Sequence, residues 1–229
     1  MERTRVESIG GFFATRYGEP APGHLPLSRL YAGELAPLTA RVDRVAARLG
    51  ASERRVAASI AHLGLAARLW STALGPAALH GTFPDPAADG LYWDPELTSP
   101  DDLRWTRPGT LPGTVDGIRE AVQYGHLVPL AEALRSDARV SHRLLWGNAG
   151  SALAGALREI HRWAREHDRP AAAERATALA SGLLDHPDLS GTVAGPVLRR
   201  TSCCLYYRCP GGGLCGDCVF DRPPRRQGG

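Results

Sequence analysis

The chain has 229 residues, 43% of them hydrophobic and 22% charged, which suits one sizeable folded domain with at most a small appendage and excludes a disordered chain. Its formal net charge of +3 comes from 27 basic residues, all of them Arg, interspersed with 24 acidic ones, so the balance demands neither nucleic acid nor a membrane surface as partner. No apolar run reaches the roughly 18 residues of a membrane span, and the stretch 9–13 behind a charged start is too short for a signal-peptide core, so a cytoplasmic protein is expected.

Residues 1–27 mix Gly, Pro and aromatics without a period and read as an irregular arm. Over 35–49, Leu35, Leu38, Val42, Val45 and Leu49 share one helical face that Gly50 ends, with Pro37 harmless in the first turn. A second helix follows from a Ser52 cap, with Val56, Ile60, Leu63, Ala67, Trp70 and Leu74 in alternating steps of four and three, and Gly75-Pro76 is expected to stop it. The stretch 81–113 is dense in Pro and Gly around Leu91-Tyr92-Trp93 and Leu103-Arg104-Trp105, where two short strands or an aromatic loop fit.

Helical patterning resumes at 115–122, 129–134 and 140–167. Gly147, Gly150 and Gly155 weaken the last of these, and a closely packed neighbour would explain them. A helix over 170–184 follows, then a linker marked by Gly191, Gly195 and Pro196. The fold class is therefore mainly α: a helical body over 1–195 with a short β or aromatic-loop insertion, a cysteine-bearing segment over 196–221, and a disordered tail over 222–229.

All five cysteines lie within 203–218, which a disulfide-stapled secreted protein would not do. Cys203, Cys204, Cys215 and Cys218 form the pattern C-C-x10-C-x2-C, and four thiolates are what a [2Fe-2S] cluster requires. Cys215-Gly-Asp-Cys218 is a tight chelate in which Gly216 can take a positive φ and aim amides at the sulfurs. Cys203 and Cys204 would face opposite ways in a strand, so the chain must turn there, and Pro210-Gly-Gly-Gly213 lets the two halves meet. Tetrahedral zinc stays open on spacing, although a vicinal pair substitutes poorly for a zinc knuckle. A thiol–disulfide switch at Cys215 and Cys218 lacks its usual βαβ context.

On these residues the sequence resembles the FhuF-type ferric iron reductase family, through Arg199-Arg200-Thr-Ser-Cys-Cys-Leu-Tyr-Tyr-Arg208, Gly211-Gly-Gly-Leu-Cys-Gly-Asp-Cys218 and, upstream, Leu144-Leu145-Trp146-Gly147-Asn148. The resemblance implies a [2Fe-2S] cluster on Cys203, Cys204, Cys215 and Cys218 and one-electron reduction of ferric, hydroxamate-type siderophores in the bacterial cytoplasm. No nucleotide-binding fingerprint is present, so electrons would come from a separate ferredoxin or reductase. Arg143, Trp146 and Asn148, with Tyr206, Tyr207 and Arg208, are the candidate substrate contacts. Cys209 departs from the family pattern and reads as a surface thiol. A cluster-based iron or redox sensor and a four-cysteine zinc interaction module are the competing readings.

Overall fold

Two long helices carry the apolar stripes of the sequence and pack against each other more extensively than any other pair of elements in the computed structural model, which describes residues 6–224. In chain order the helices are α1 (Leu27–Tyr31), α2 (Ala36–Leu49), α3 (Arg54–His80), α4 (Val115–Ile118), α5 (Val128–Asp137), α6 (His142–Glu166) and α7 (Pro170–Leu184). The chain is mainly α, and the central pair is α3 with α6. Trp70, fully buried on α3, fixes their relative height by donating its indole N–H to the Ala149 carbonyl on α6 at 3.1 Å. Helices α2 and α7 flank the pair.

Helix α3 departs from the sequence expectation at both ends. Glu53, not Ser52, is the N-cap, and no side chain caps it. The helix also runs through Gly75-Pro76 to His80, where Gly81 adopts the left-handed conformation expected of a C-terminal glycine. An interior proline costs about 3 kcal/mol. Residues 69–78 are all buried, however, and full burial of one side chain such as Leu74 returns about 1.5–3 kcal/mol. Gly75 makes room for the arm: an added Cβ would lie 2.6 Å from the Phe13 ring.

The arm is more ordered than its sequence suggests. It contributes β1 (Arg16–Tyr17) and β2 (Leu25–Pro26) to a four-stranded sheet of order β1-β5-β4-β2, whose centre is the antiparallel pair β4 (Leu91–Trp93) and β5 (Leu103–Trp105). Alternation turns Leu91, Trp93, Leu103 and Trp105 into the core. A separate two-stranded antiparallel sheet pairs β3 (Thr82–Pro84) with β6 (Thr110–Pro112), closing off the segment that carries β4 and β5. Arg68 of α3, almost wholly buried, ties these pieces together by donating to Asp102 at 2.9 Å and to the Ala14 carbonyl at 3.0 Å.

The expected helices over 115–122 and 129–134 are one continuous coil, in which α4 passes into a π-helix (Arg119–Leu127) and then α5. Pro129 has no N–H to offer the carbonyl four residues back, and the wider turn leads into it, with the Val128 amide bonding to the Gln123 carbonyl. The turn buries Gln123 and His126. Helices α6 and α7 hold their expected places, α6 opening on Ser141, whose side chain accepts from the Leu144 amide at 3.2 Å. Among the described residues no helix is long and apolar enough to cross a membrane. The last part of the expected tail, residues 225–229, lies outside the described residues.

Candidate metal centre

After α7 the chain makes a small hairpin, β7 (Val193–Ala194) with β8 (Arg199–Arg200), that returns it to the surface of α6. Two glycines of α6 receive it. A Cβ on Gly147 would stand 1.9 Å from Ser202 Oγ, and one on Gly150 would stand 2.1 Å from Thr192 Oγ1. The helix thus trades propensity for contact at these two positions. Gly155 meets only the end of the Arg158 side chain.

The vicinal cysteines are placed by a turn just beyond them. Leu205 takes φ 69°, a left-handed conformation that costs a branched side chain about 1–2 kcal/mol. In return its N–H points at Cys203 Sγ, 3.2 Å away, and the Tyr206 amide reaches Cys204. The Cys204 carbonyl accepts from Ser59 of α3 at 2.8 Å, which anchors the turn to the second long helix. The amide donors predicted around Gly216 therefore lie on the other half of the motif. Gly216 is not at positive φ, and a Cβ there would meet nothing within 4 Å. The glycine that the loop needs is Gly212, where a Cβ would fall 2.1 Å from the Tyr206 carbonyl oxygen.

Cys203, Cys204 and Cys215 interact in series, with Cys204 between the other two, and Cys218 acts electrostatically on Cys203. Cys203 is pushed down to about 7, first by the Cys204 hydrogen bond and then by the Leu205 amide and the Arg200 charge, against the cost of burial. Cys204 and Cys215 are pushed up, each chiefly by its hydrogen bond to the next sulfur. Among the described residues no three His, Cys, Asp or Glu side chains close around a single metal ion. Cys209, expected at the surface, is only 1% exposed beneath the Tyr206–Arg208 turn.

Behind the thiols sits a residue that the sequence does not single out. Arg200 is 2% exposed, and its charge acts on Cys203, Cys204 and Cys215. Its Nε donates to the Ser202 carbonyl and Nη2 to Asn148 Oδ1 at 2.7 Å, while Nη1 is buried without a hydrogen-bond partner. Asn148 is itself wholly buried, and its amide group donates to the Ser59 carbonyl at 2.8 Å. Asn148, a candidate substrate contact, is thus placed in the core, where it bonds Arg200. On the opposite side, Ser151 Oγ donates to Asp217 at 2.6 Å, and Arg199 donates to the Cys218 carbonyl and to Asp221.

Two clefts flank the segment. One, of about 360 Å³, is walled by Cys215 and Cys218 together with Arg158, Arg199 and the exposed Val197 and Leu214. The other, of about 270 Å³, brings Arg143 and Trp146 together with His142, Asp188 and Ser202; Trp146 there donates to His142 at 2.7 Å. Tyr206, Tyr207 and Arg208 line neither cleft. Tyr207 packs edge-on against Phe220, and Arg208 pairs with Glu53 at 2.6 Å, so its charge is already engaged.

The donor set fits an anionic iron–sulfur cluster on three counts: the four cysteines are linked through hydrogen bonding or electrostatics to one another, amides reach two of them, and a buried guanidinium beside them has an unused N–H. No curated protein matches the chain. Residues 200–220 match the family model described as the FhuF 2Fe-2S C-terminal domain, which begins at Arg200 and takes in all five cysteines. The chain therefore carries a FhuF-type C-terminal domain whose cofactor is a [2Fe-2S] cluster.

Proposed function

We propose that this protein is a cytoplasmic ferric-siderophore reductase whose cluster is held by Cys203, Cys204, Cys215 and Cys218, with residues 1–195 as its scaffold. The observation that carries the reading is the placement of Cys215 and Cys218 on the wall of an open cleft, at the end of a segment of the FhuF 2Fe-2S type. When bound, the cluster supplies one electron at a time.

Fe(III) is small, hard and highly charged, so anionic oxygen chelators hold it far more tightly than Fe(II). One electron entering the chelate turns Fe(III) into Fe(II) and loosens it, with no bond to the protein required. At about 360 Å³ the cleft lies at the small end of ligand pockets, so a chelate of siderophore size meets it edge-on. Arg158 and Arg199 put positive charge beside the exposed Val197 and Leu214, which suits a hydroxamate chelate with polar oxygens and an apolar backbone. The electron consumed comes from a separate ferredoxin or reductase.

The test is anaerobic stopped-flow of dithionite-reduced protein against a ferric hydroxamate, with a ferrous trap present. The reading expects reoxidation of the visible spectrum with one Fe(II) trapped per electron lost. A reduced protein that stays reduced in the chelate but reoxidises in air is an electron carrier or sensor, and the reductase assignment then fails.

A further inference from the structure

Arg200 occupies an unusual position for an arginine. It is almost completely buried, its side chain donates to the neutral Ser202 carbonyl and Asn148 Oδ1 with no carboxylate partner among the described residues, and one of its terminal nitrogens has no hydrogen-bond partner. Breaking a buried pair, or never making one, is strongly unfavourable, because a charge taken out of water keeps its desolvation cost. A guanidinium in such a place needs an anion. Its charge reaches the thiols of Cys203, Cys204 and Cys215.

We infer that Arg200 is the fixed counter-charge of the cluster, held at its back by Asn148, and that it raises the cluster's affinity for an electron. This rests on the ligand set proposed above and not on any substrate. A [2Fe-2S] cluster on four thiolates is an anion when oxidised and gains another negative charge when reduced, so a nearby fixed cation stabilises the reduced form more. Asn148 is the positioning residue: its Oδ1 takes Nη2 while its amide group is anchored to Ser59, on the helix that also holds the Cys204 carbonyl. Asp217 carries the opposite charge between Cys215 and Cys218, but its carboxylate is half-exposed. At Cys215 the charge of Arg200 acts more strongly than that of Asp217, whose carboxylate is partly screened by solvent.

The experiment is a dye-mediated redox titration of the loaded full-length protein and three variants, read from the visible spectrum and from electron paramagnetic resonance of the reduced state. Arg200→Gln removes the charge, Arg200→Lys keeps it, and Asn148→Asp leaves Arg200 in place but neutralises it with a carboxylate. Arg200→Gln and Asn148→Asp are each expected to lose about tenfold in electron affinity, a fall of about 59 mV for a one-electron couple, and Arg200→Lys less than half of that. If Arg200→Gln takes up no cluster, the Asn148→Asp potential decides. If both fail to load while Arg200→Lys loads, the charge is needed for assembly and the inference stands. Midpoints within about twofold of the parent's electron affinity in Arg200→Gln or Asn148→Asp overturn it, as does loss of the cluster in all three variants. Failure of the ligand set is a separate result, read from the Cys→Ser spectra.

Discussion

The helical body and the cysteine segment are held by different physics. The body is a pair of long helices whose buried stripes interlock, tied by hydrogen bonds such as Trp70 to Ala149 and by buried networks such as Arg68 with Asp102. The segment has one two-residue hairpin and one 3-10 turn of regular structure, and it relies on notches, single tethers and its cofactor. A body of this kind folds from its own surface area, whereas a segment of this kind is specified by a site.

That contrast is sharpest at the ligands. Serine in place of Cys203, Cys204, Cys215 or Cys218 is expected to abolish the native visible spectrum, with far-UV circular dichroism of the helices unchanged; Cys209→Ser is expected to keep the spectrum despite its burial. A native spectrum in Cys204→Ser would break the ligand set. The next effect belongs to the seat. Gly150→Ala pushes a methyl into Thr192 and Gly212→Ala pushes one into the Tyr206 carbonyl, overpacking that costs ~1–3 kcal/mol. Cluster content should fall in both while the thermal transition of the helices moves little. A large loss of helical stability would mean that the two regions are not separable in this way.

Acid should act on the body. Burial pushes His62 down to about 3 and His126 down to about 4, so both are neutral in the folded state and titrate near 6.5 when unfolded. The unfolded chain therefore binds more protons below pH 6.5, and stability falls with pH, approaching about 1.4 kcal/mol per pH unit for each histidine. Urea unfolding of the cofactor-free protein should show this between pH 7 and pH 5, and His62→Gln should reduce the slope. Equal stability at the two pH values would refute it. The smallest effect is expected at the tether between the regions: Glu53→Gln removes the half-exposed partner of Arg208, a surface pair worth ~0.2–1 kcal/mol, and should leave the spectrum unchanged.

Much of the body was legible because its helices are bounded by local signals. Gly50 at the end of α2 and Pro170 at the head of α7 each act within a turn of where they stand. Pro76 misled because tertiary burial outweighed a local rule, and the π-helix over Arg119–Leu127 has no period of its own to read. The strands of the arm became visible only through their partners, β5 and β4. In the site, cysteine spacing was informative because ligation constrains it, and Gly147 and Gly150 were visible as oddities in a helix. Arg200 was not, since burial separates it from the exposed arginines and burial is not written in the residue type. Arg208 and Asn148 drew attention by neighbourhood in the sequence, while their partners Glu53 and Arg200 lie far along it.

The receiving surface on α6 has a consequence for biogenesis. Gly147, Asn148, Gly150 and Ser151 stand within about one helical turn, and they contact Ser202, Arg200, Thr192 and Asp217 respectively. Only a formed helix presents these four in one patch, so the body is the template on which the cysteine segment is ordered, and the cofactor completes a seat that the helix has already prepared.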